Sequence, residues 1–563
     1  MSSCCANERS KLHAILRYAP DDAVLRLKRA LLFLLLTAIV ALPFALRPGR
    51  VSAKRADDTV VIITPHNEAI RFEYARGFAE WYRAKTGRTV AIDWRVVGGT
   101  SEIARFLEGE YTTGFENHWT RELHQPWSTE VQAGFQNGRL PPDAPASVRA
   151  ARAAFLASNV SCGIDVFFGG GTYDLERQAQ AGRLIDSGLR TRRPEWFTAD
   201  TIPQNFGGET YWDPEGLWIG TVLSSYGVLF NRDSLRRLGI EREPRRWEDL
   251  ADPRLIGEVG LADPTKSGSV AKAFENMIQQ QMQRRFKAGG EEARAVRLGW
   301  EDGLRLIQLI GANARYFTDS SQKPPIDVAA GNCAVGLCID FYGRQQQEAL
   351  RRRSGPPARE REGAERVGYH SPPGGSVASV DPIALLRGAP HRAVASDFIE
   401  YTLSMEGQKR WNFKPGTPGG PERFALRRMP VRRDFYAHAE WKPLRSDPED
   451  SPFEQEDPLV YREAWTGRYF REMAFVVRVM CLDAHAELVA AWRAINAAPE
   501  PARSRALVAL QDLSAIAYDR TTTDIRARLG AKDKVDEIRL ARELGDIFRA
   551  NYARAERIAE GLK

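Results

Sequence analysis

Four short stretches concentrate the residue types that hold an anion without needing a lysine: residues 65–68 (PHNE), 98–101 (GGTS), 169–172 (GGGT) and 265–269 (TKSGS). Each follows an apolar run and precedes a helical pattern. Backbone N–H groups, hydroxyls and the positive end of a helix dipole therefore converge there, which suits a phosphate, phosphonate or carboxylate. Each stretch also has an ordinary structural use, because Ser, Thr and Gly cap helices and turn chains in most proteins. The glycines of "DVFFGGGTYDLERQAQAGRL" are neither the G-x-G-x-x-G of a dinucleotide site, since no third glycine falls at the helix entry, nor a P-loop, since no G-K-[ST] follows. Arg344 is placed either to add a bidentate contact or to be a solvated helix arginine.

The elements that must position these loops alternate strand and helix. In "TVVIITPHNEAIRFEYARGFAEWYRAKTGRTVAIDWRVV" a continuous apolar strand is followed by Ile70, Tyr74, Phe78, Trp81 and Tyr82 at helical spacing. Gly87 stops that helix and a second strand follows. This is a β-α-β unit, and in open parallel sheets ligands bind where the strands end in such loops. Residues 110–155 are aromatic and read as an inserted, partly helical segment. Residues 219–230 form a long apolar run, residues 247–275 read helix, strand, loop, helix, and "GNCAVGLCIDFYGRQQQEAL" repeats strand, polar turn, helix. After about residue 440 the chain is Pro- and acid-rich and then mostly helical to its end.

With 563 residues, 43% apolar and 27% charged, the composition is that of a multidomain globular chain. The net charge of +7 is small for this length, and no basic stripe interleaved with aromatics argues for nucleic acid. Residues 30–46 carry no charge and follow Arg26, Lys28 and Arg29, so they read as a signal peptide or a transmembrane signal anchor behind a cytoplasmic basic N-terminus, residues 1–29. "VSA", ending at Ala53, has the small residues of a cleavage site. Cys4 and Cys5 precede the apolar segment. Cys333 and Cys338 lie five apart on one strand, facing opposite ways, so they are expected as buried thiols. No C-x-x-C or Cys/His cluster suggests zinc.

Three stretches together resemble the extracytoplasmic solute-binding proteins of ABC importers, in the group that includes ferric-ion, sugar-phosphate, phosphonate and polyamine binders. They are "DVFFGGGTYDLERQAQAGRL", the span from "SSYGVLFNRDSLRRLGI" to "PRRWEDLADPRLIGEVGLADPTKSGS", and "SVASVDPIALLRGAPHRAVASDFIEYTLSMEGQKRW". The resemblance covers about residues 57–435. It implies an α/β fold of the two-lobed, type II periplasmic class, with lobes joined by crossing strands that act as hinges, here residues 219–230 and 377–386. Lobe 1 is then 57–221 plus 377–440, lobe 2 is 226–372, and residues 441–563 are a linker and helical C-terminal extension. Such proteins are not enzymes and take no cofactor. They deliver a small-molecule solute to a membrane permease from the periplasm, anchored to the inner membrane if the N-terminal segment is uncleaved.

With the lobes so arranged, the expected ligand-binding residues are Thr64, His66 and Asn67 on the first loop, Gly99, Thr100 and Ser101 on the second, and Gly170, Gly171, Thr172 and Tyr173 on the third. Ser225 joins them at the first crossing, Thr265, Ser267, Gly268 and Ser269 in lobe 2, and Asp340, Tyr342 and Arg344 after the strand that ends at Ile339. The residues lean to a small anionic solute, phosphorylated ones among them. Ferric iron is the alternative, because His66 resembles the histidine of the ferric binders. Those relatives place two adjacent tyrosines where this chain reads Asp340-Phe341-Tyr342, so one phenolate is missing, and His66 and Tyr342 would be the metal ligands. Two further classes stay open: a sensor or scaffold that signals through the C-terminal helices, and an enzyme on the same scaffold, against which no G-x-S-x-G, H-E-x-x-H or nucleophile beside a base stands out.

Overall fold

β1 (Asp58–Ile63) is a strand because its branched residues Val60, Val61, Ile62 and Ile63 are all buried, an apolar run that can sit only inside a covered sheet. The computed structural model describes residues 30–37, 56–353, 366–454, 458–531 and 533–562. From β1 the chain passes through α1 (Glu68–Thr86), capped by Asn67 and stopped by Gly87 in the left-handed region, to β2 (Val90–Arg95) and α2 (Thr100–Asn117). β1 pairs parallel with β2 and with β3 (Val166–Phe168), which leads into α3 (Thr172–Ala181). The expected insertion is helical: residues 129–134 and 146–157 form helices, and Phe115, Phe135 and Phe155 pack on one another.

After β4 (Leu184–Ile185) and the small hairpin of β5 (Asn205–Phe206) and β6 (Glu209–Thr210) come β7 (Ile219–Ser224) and β8 (Tyr226–Asn231), buried along their whole length. β7 belongs to one sheet and β8 to another, so the chain changes lobe at Ser225. Lobe 2 continues with β9 (Val259–Ala262), α4 (Gly268–Lys287), α5 (Glu292–Ala312), β10 (Ala314–Thr318), β11 (Val335–Ile339), α6 (Asp340–Arg353) and β12 (Val367–His370). β13 (Ser379–Leu386) and β14 (Met429–Pro430) return to the first sheet. The strand orders are β14-β7-β13-β3-β1-β2, with β4 beside β13, and β10-β9-β11-β8-β12. β13 lies wholly in the first sheet, so the return crossing falls at residues 371–378, ahead of most of the 377–386 stretch expected for it.

The C-terminal helices α7 (Phe470–Val477), α8 (His485–Ala497), α9 (Ala502–Leu510) and α10 (Lys534–Ala559) cover the outer helices of lobe 2. The joint is polar as well as apolar. Trp300 Nε1 donates to the Ile516 carbonyl at 2.9 Å, Gln308 reaches the Leu510 carbonyl at 3.0 Å, and Trp492 Nε1 donates to Asn313 at 2.9 Å. Residues 57–563 accordingly cluster as one unit. The other unit, residues 1–56, is described only over 30–37 and Ala56, and residues 30–37 are helical. The basic N-terminus, most of residues 30–46 and the "VSA" site lie outside the described residues. Among the described residues no helix is long and apolar enough to cross a membrane. Cys162, Cys333, Cys338 and Cys481 are buried free thiols.

Candidate functional site

A cleft of about 880 Å³ opens between the lobes. Of the residues expected from sequence, His66, Asn67, Gly99, Thr100, Gly170, Gly171, Thr172, Tyr173, Ser267, Gly268, Ser269 and Tyr342 line it. Six do not, and each has a structural task. The buried Thr64 hydroxyl donates to the Phe168 carbonyl at 2.7 Å, tying β1 to β3. Ser225, at the first crossing, donates through N–H and hydroxyl to Asp340 Oδ2 at 3.0 and 3.3 Å, and Asp340 also takes the Phe341 N–H. Burial pushes the Asp340 carboxyl up, with Arg344 opposing it. Thr265 is folded back on Asp263. Ser101 lies in α2 outside the lining. Arg344 is turned to the C-terminal segment, 3.5 Å from Asp447 and 2.5 Å from Asp450, so it is neither a ligand contact nor a solvated arginine.

The glycine run has a cause that sequence reading placed elsewhere. Gly169 and Gly170 have φ of +95° and +115°, a region L side chains avoid. A Cβ on Gly169 would stand 2.6 Å from Cε1 of His66, and one on Gly170 2.9 Å from the Thr100 methyl. What comes close to this backbone is therefore the protein's own His66 ring and Thr100 side chain. α2 and α3 start from Gly99 and Gly171 without a side-chain cap, whereas Asn67 and Ser267 cap α1 and α4. All four N-termini border the cleft.

Behind His66 lies a buried charged set that sequence spacing did not reveal. His66 Nε2 is 3.4 Å from Asp381 Oδ2, and Arg428, with no exposed surface, holds the same oxygen at 2.6 Å. Arg428 also donates to Ser224 and lies over the Phe341 ring at 4.3 Å. Burial keeps His66 neutral by driving its pKa down, against the pull of Asp381. Burial opposes ionisation of Asp381 too, but the Arg428 guanidinium outweighs it and holds that carboxyl below its ordinary range. The remaining nitrogen, His66 Nδ1, is buried with no hydrogen-bond partner.

The cations of the cleft differ in how they are held. Arg105 pairs with Glu102 and Lys266 with Asp319, each at 2.7 Å. Lys272 lies 2.8 Å from both Glu209 and Glu275 and 3.6 Å from the Tyr461 ring centroid. Arg71, in the first turn of α1, has no carboxylate partner among the described residues, and its buried Nε makes no hydrogen bond. Its charge is felt at His66, whose protonated form it disfavours. An amphipathic pattern does not mark Arg71, which reads as one more solvated helix residue.

The lobes meet around this space. Asn67 donates to Gln345 at 3.2 Å, and a Cβ on Gly99 would stand 3.4 Å from the Lys266 carbonyl oxygen. The C-terminal segment forms part of the wall through Tyr461, Glu463, Gly467 and Phe470, with the Phe470 ring 5.0 Å from that of Tyr173. Among the described residues no three His, Cys, Asp or Glu side chains are grouped to hold a metal ion. Burial pushes the Tyr342 phenol up to about 12, which opposes the phenolate that ferric iron prefers.

Residues 165–427 match the family model of bacterial extracellular solute-binding proteins, a family of binders rather than enzymes. The chain is 28% identical to an uncharacterized protein of Haemophilus influenzae over 245 residues, 44% of this chain and 60% of that protein. It therefore spans 60% of the length of that curated relative. Solved structures similar to it include AfuA of Actinobacillus pleuropneumoniae with fructose-6-phosphate bound, at 16% identity, covering 77% of this chain and 98% of that one, TM-score 0.44. Iron-bound HitA of Pseudomonas aeruginosa matches at 18% identity, covering 74% of this chain and 99% of that one, TM-score 0.42. Residues 165–427 thus carry the pattern of the bacterial extracellular solute-binding proteins, on a chain built of two α/β lobes joined by crossing segments.

Proposed function

We propose that this protein captures a small anionic solute between its lobes, outside the cytoplasm, and hands it to the membrane permease of an ABC importer. In this reading the lobes are residues 57–221 with 377–440, and 226–372. The observation that carries it is Arg71. Every other cation lining the cleft is already neutralised by a carboxylate, whereas Arg71 has no carboxylate partner among the described residues and a buried Nε that makes no hydrogen bond, and the buried Nδ1 of His66, on the same loop-helix segment, is likewise unpartnered. Leaving a buried N–H of a cation without a hydrogen bond is costly, and a phosphate, phosphonate or carboxylate removes that cost by bidentate bonding. The uncapped starts of α2 and α3 add amide donors at the same place.

Thermal unfolding of the full chain against sugar phosphates, phosphonates, organic acids, polyamines and ferric citrate tests this. A ligand at 100 times its dissociation constant adds about 2.7 kcal/mol. The expected result is a shift with an anionic compound. A shift with ferric citrate or a polyamine alone contradicts the reading.

A further inference from the structure

Nine carboxylates and four cations line the cleft, an excess of negative charge that an anion site alone does not explain. Part of it is accounted for by the pairs already described. Glu68, Asp174, Glu176 and Glu463 remain outside those pairs, and two of them, Glu176 and Glu463, share a wall formed by α3, β6, α4 and the C-terminal segment with Glu209 and Glu275, where Lys272 is the single cation. Glu275 is satisfied, accepting from Tyr461 at 3.0 Å and Thr466 at 2.7 Å as well as meeting Lys272. Glu176 and Glu463 have no ion pair among the described residues, and burial first, then Glu463 and Glu209, push the Glu176 carboxyl up to about 7.

A second, independent observation lies in the same cleft. The Ser379 hydroxyl, 7% exposed, lines the cleft and makes no hydrogen bond. Tyr226 stands next to it and is itself within reach of the charges of Lys272 and Glu209. A cleft that holds both an unpartnered buried hydroxyl and carboxylates without a paired cation is the environment that a protonated amine satisfies, through three N–H donors and one positive charge. Residues 461–470 close this side of the cleft. The Tyr461 N–H donates to the Gly207 carbonyl at 2.7 Å, the Arg462 N–H to Gln279 at 2.9 Å, and Phe470 packs on Tyr173.

Resting on the anionic reading above, we infer that the solute also carries a protonated amine, held by Glu176 and by Glu463 of the C-terminal segment, with Ser379 as an acceptor. The anionic end meets Arg71 and His66, and the ammonium end meets the acidic wall. The C-terminal segment, which lies outside the family match, is then part of the binding site and a determinant of which solute enters.

The test uses matched probe pairs that differ by one amine, titrated calorimetrically into the full chain: phosphoethanolamine against ethyl phosphate, 3-aminopropylphosphonate against propylphosphonate, and 4-aminobutyrate against butyrate. In the pair that binds, the aminated member is expected to bind about tenfold tighter or more, a difference of about 1.4 kcal/mol. Glu176→Gln with Glu463→Gln should erase that advantage and leave the amine-free member unchanged. Glu463→Lys, at an exposed position, should reverse the preference. Equal affinities within a pair, or a double variant that weakens both members alike, overturn the amine inference while the anionic reading stands. Binding by no anionic probe in any pair overturns the anionic reading and this inference with it.

Discussion

Gly169→Ala separates the two explanations of the glycine loop, because the His66 contact and the backbone angle contribute separately. An L residue at a left-handed φ costs about 1–2 kcal/mol. The added methyl would also stand 2.6–2.7 Å from the imidazole of His66, whose ring is wedged against Phe168 at 4.6 Å and tied to Asp381. Forcing such an overlap in a packed site costs about 1–3 kcal/mol more. Gly163→Ala is the control, since Gly163 has φ +71° and nothing within 4 Å of its Cβ position, so only the backbone cost applies. Urea midpoints at a common m-value should therefore place Gly169→Ala about 1–3 kcal/mol below Gly163→Ala. In a His66→Ala background that gap should close, a coupling measurable as a double-mutant cycle. Equal losses for the two alanine variants in the otherwise unaltered chain would refute the argument that His66 dictates the glycine.

Two further outcomes follow from the charged wall. Lys272→Met leaves Glu209 and Glu275, 2% and 0% exposed, without their cation, and should destabilise the protein by about 3–5 kcal/mol in denaturant unfolding, with part of the loss recovered by adding Glu209→Gln. Glu176 has a folded-state pKa near 7 against an ordinary 4.5, so the stability it contributes is present below 4.5 and is lost as pH rises through 7. Burial of the carboxyl sets this first, with Glu463, Glu209 and Asp213 adding to it and Lys272 opposing. Glu176→Gln should consequently stabilise the protein more at pH 8 than at pH 5, and a pH-independent difference would count against the shift.

Much of the architecture was legible because it is local. The runs around Val60 and Ile219, the helical spacing of Ile70, Tyr74 and Phe78, and the loops before α2, α3 and α4 each state their element within a dozen residues. The four loops were read correctly as neighbours of a strand end, and the crossing near Ser225 lies within the long apolar run of residues 219–230. What escaped was non-local. Asp381, Arg428 and His66 come from three separated segments, and no spacing links them. Lys272 looks like an ordinary helix residue until Glu209 is brought opposite it. Arg344 resembled a ligand arginine because Asp447 and Asp450, which neutralise it, lie about a hundred residues away. The C-terminal residues Tyr461, Glu463 and Phe470 lay in a stretch that reads as a linker and helices, with nothing to mark them as a wall of the cleft.

The most direct measurement of the central claim is calorimetric titration of the full chain and of Arg71→Met with the anionic compound that gives the largest thermal shift. A charge-assisted hydrogen bond is worth about 1.5–3 kcal/mol, so removing the guanidinium should weaken binding roughly 10- to 150-fold. Lys266→Met, whose ammonium is already paired with Asp319, should change it by less than about threefold. An Arg71→Met protein that binds the compound as tightly as the unaltered chain would contradict the assignment of this cleft to an anionic solute.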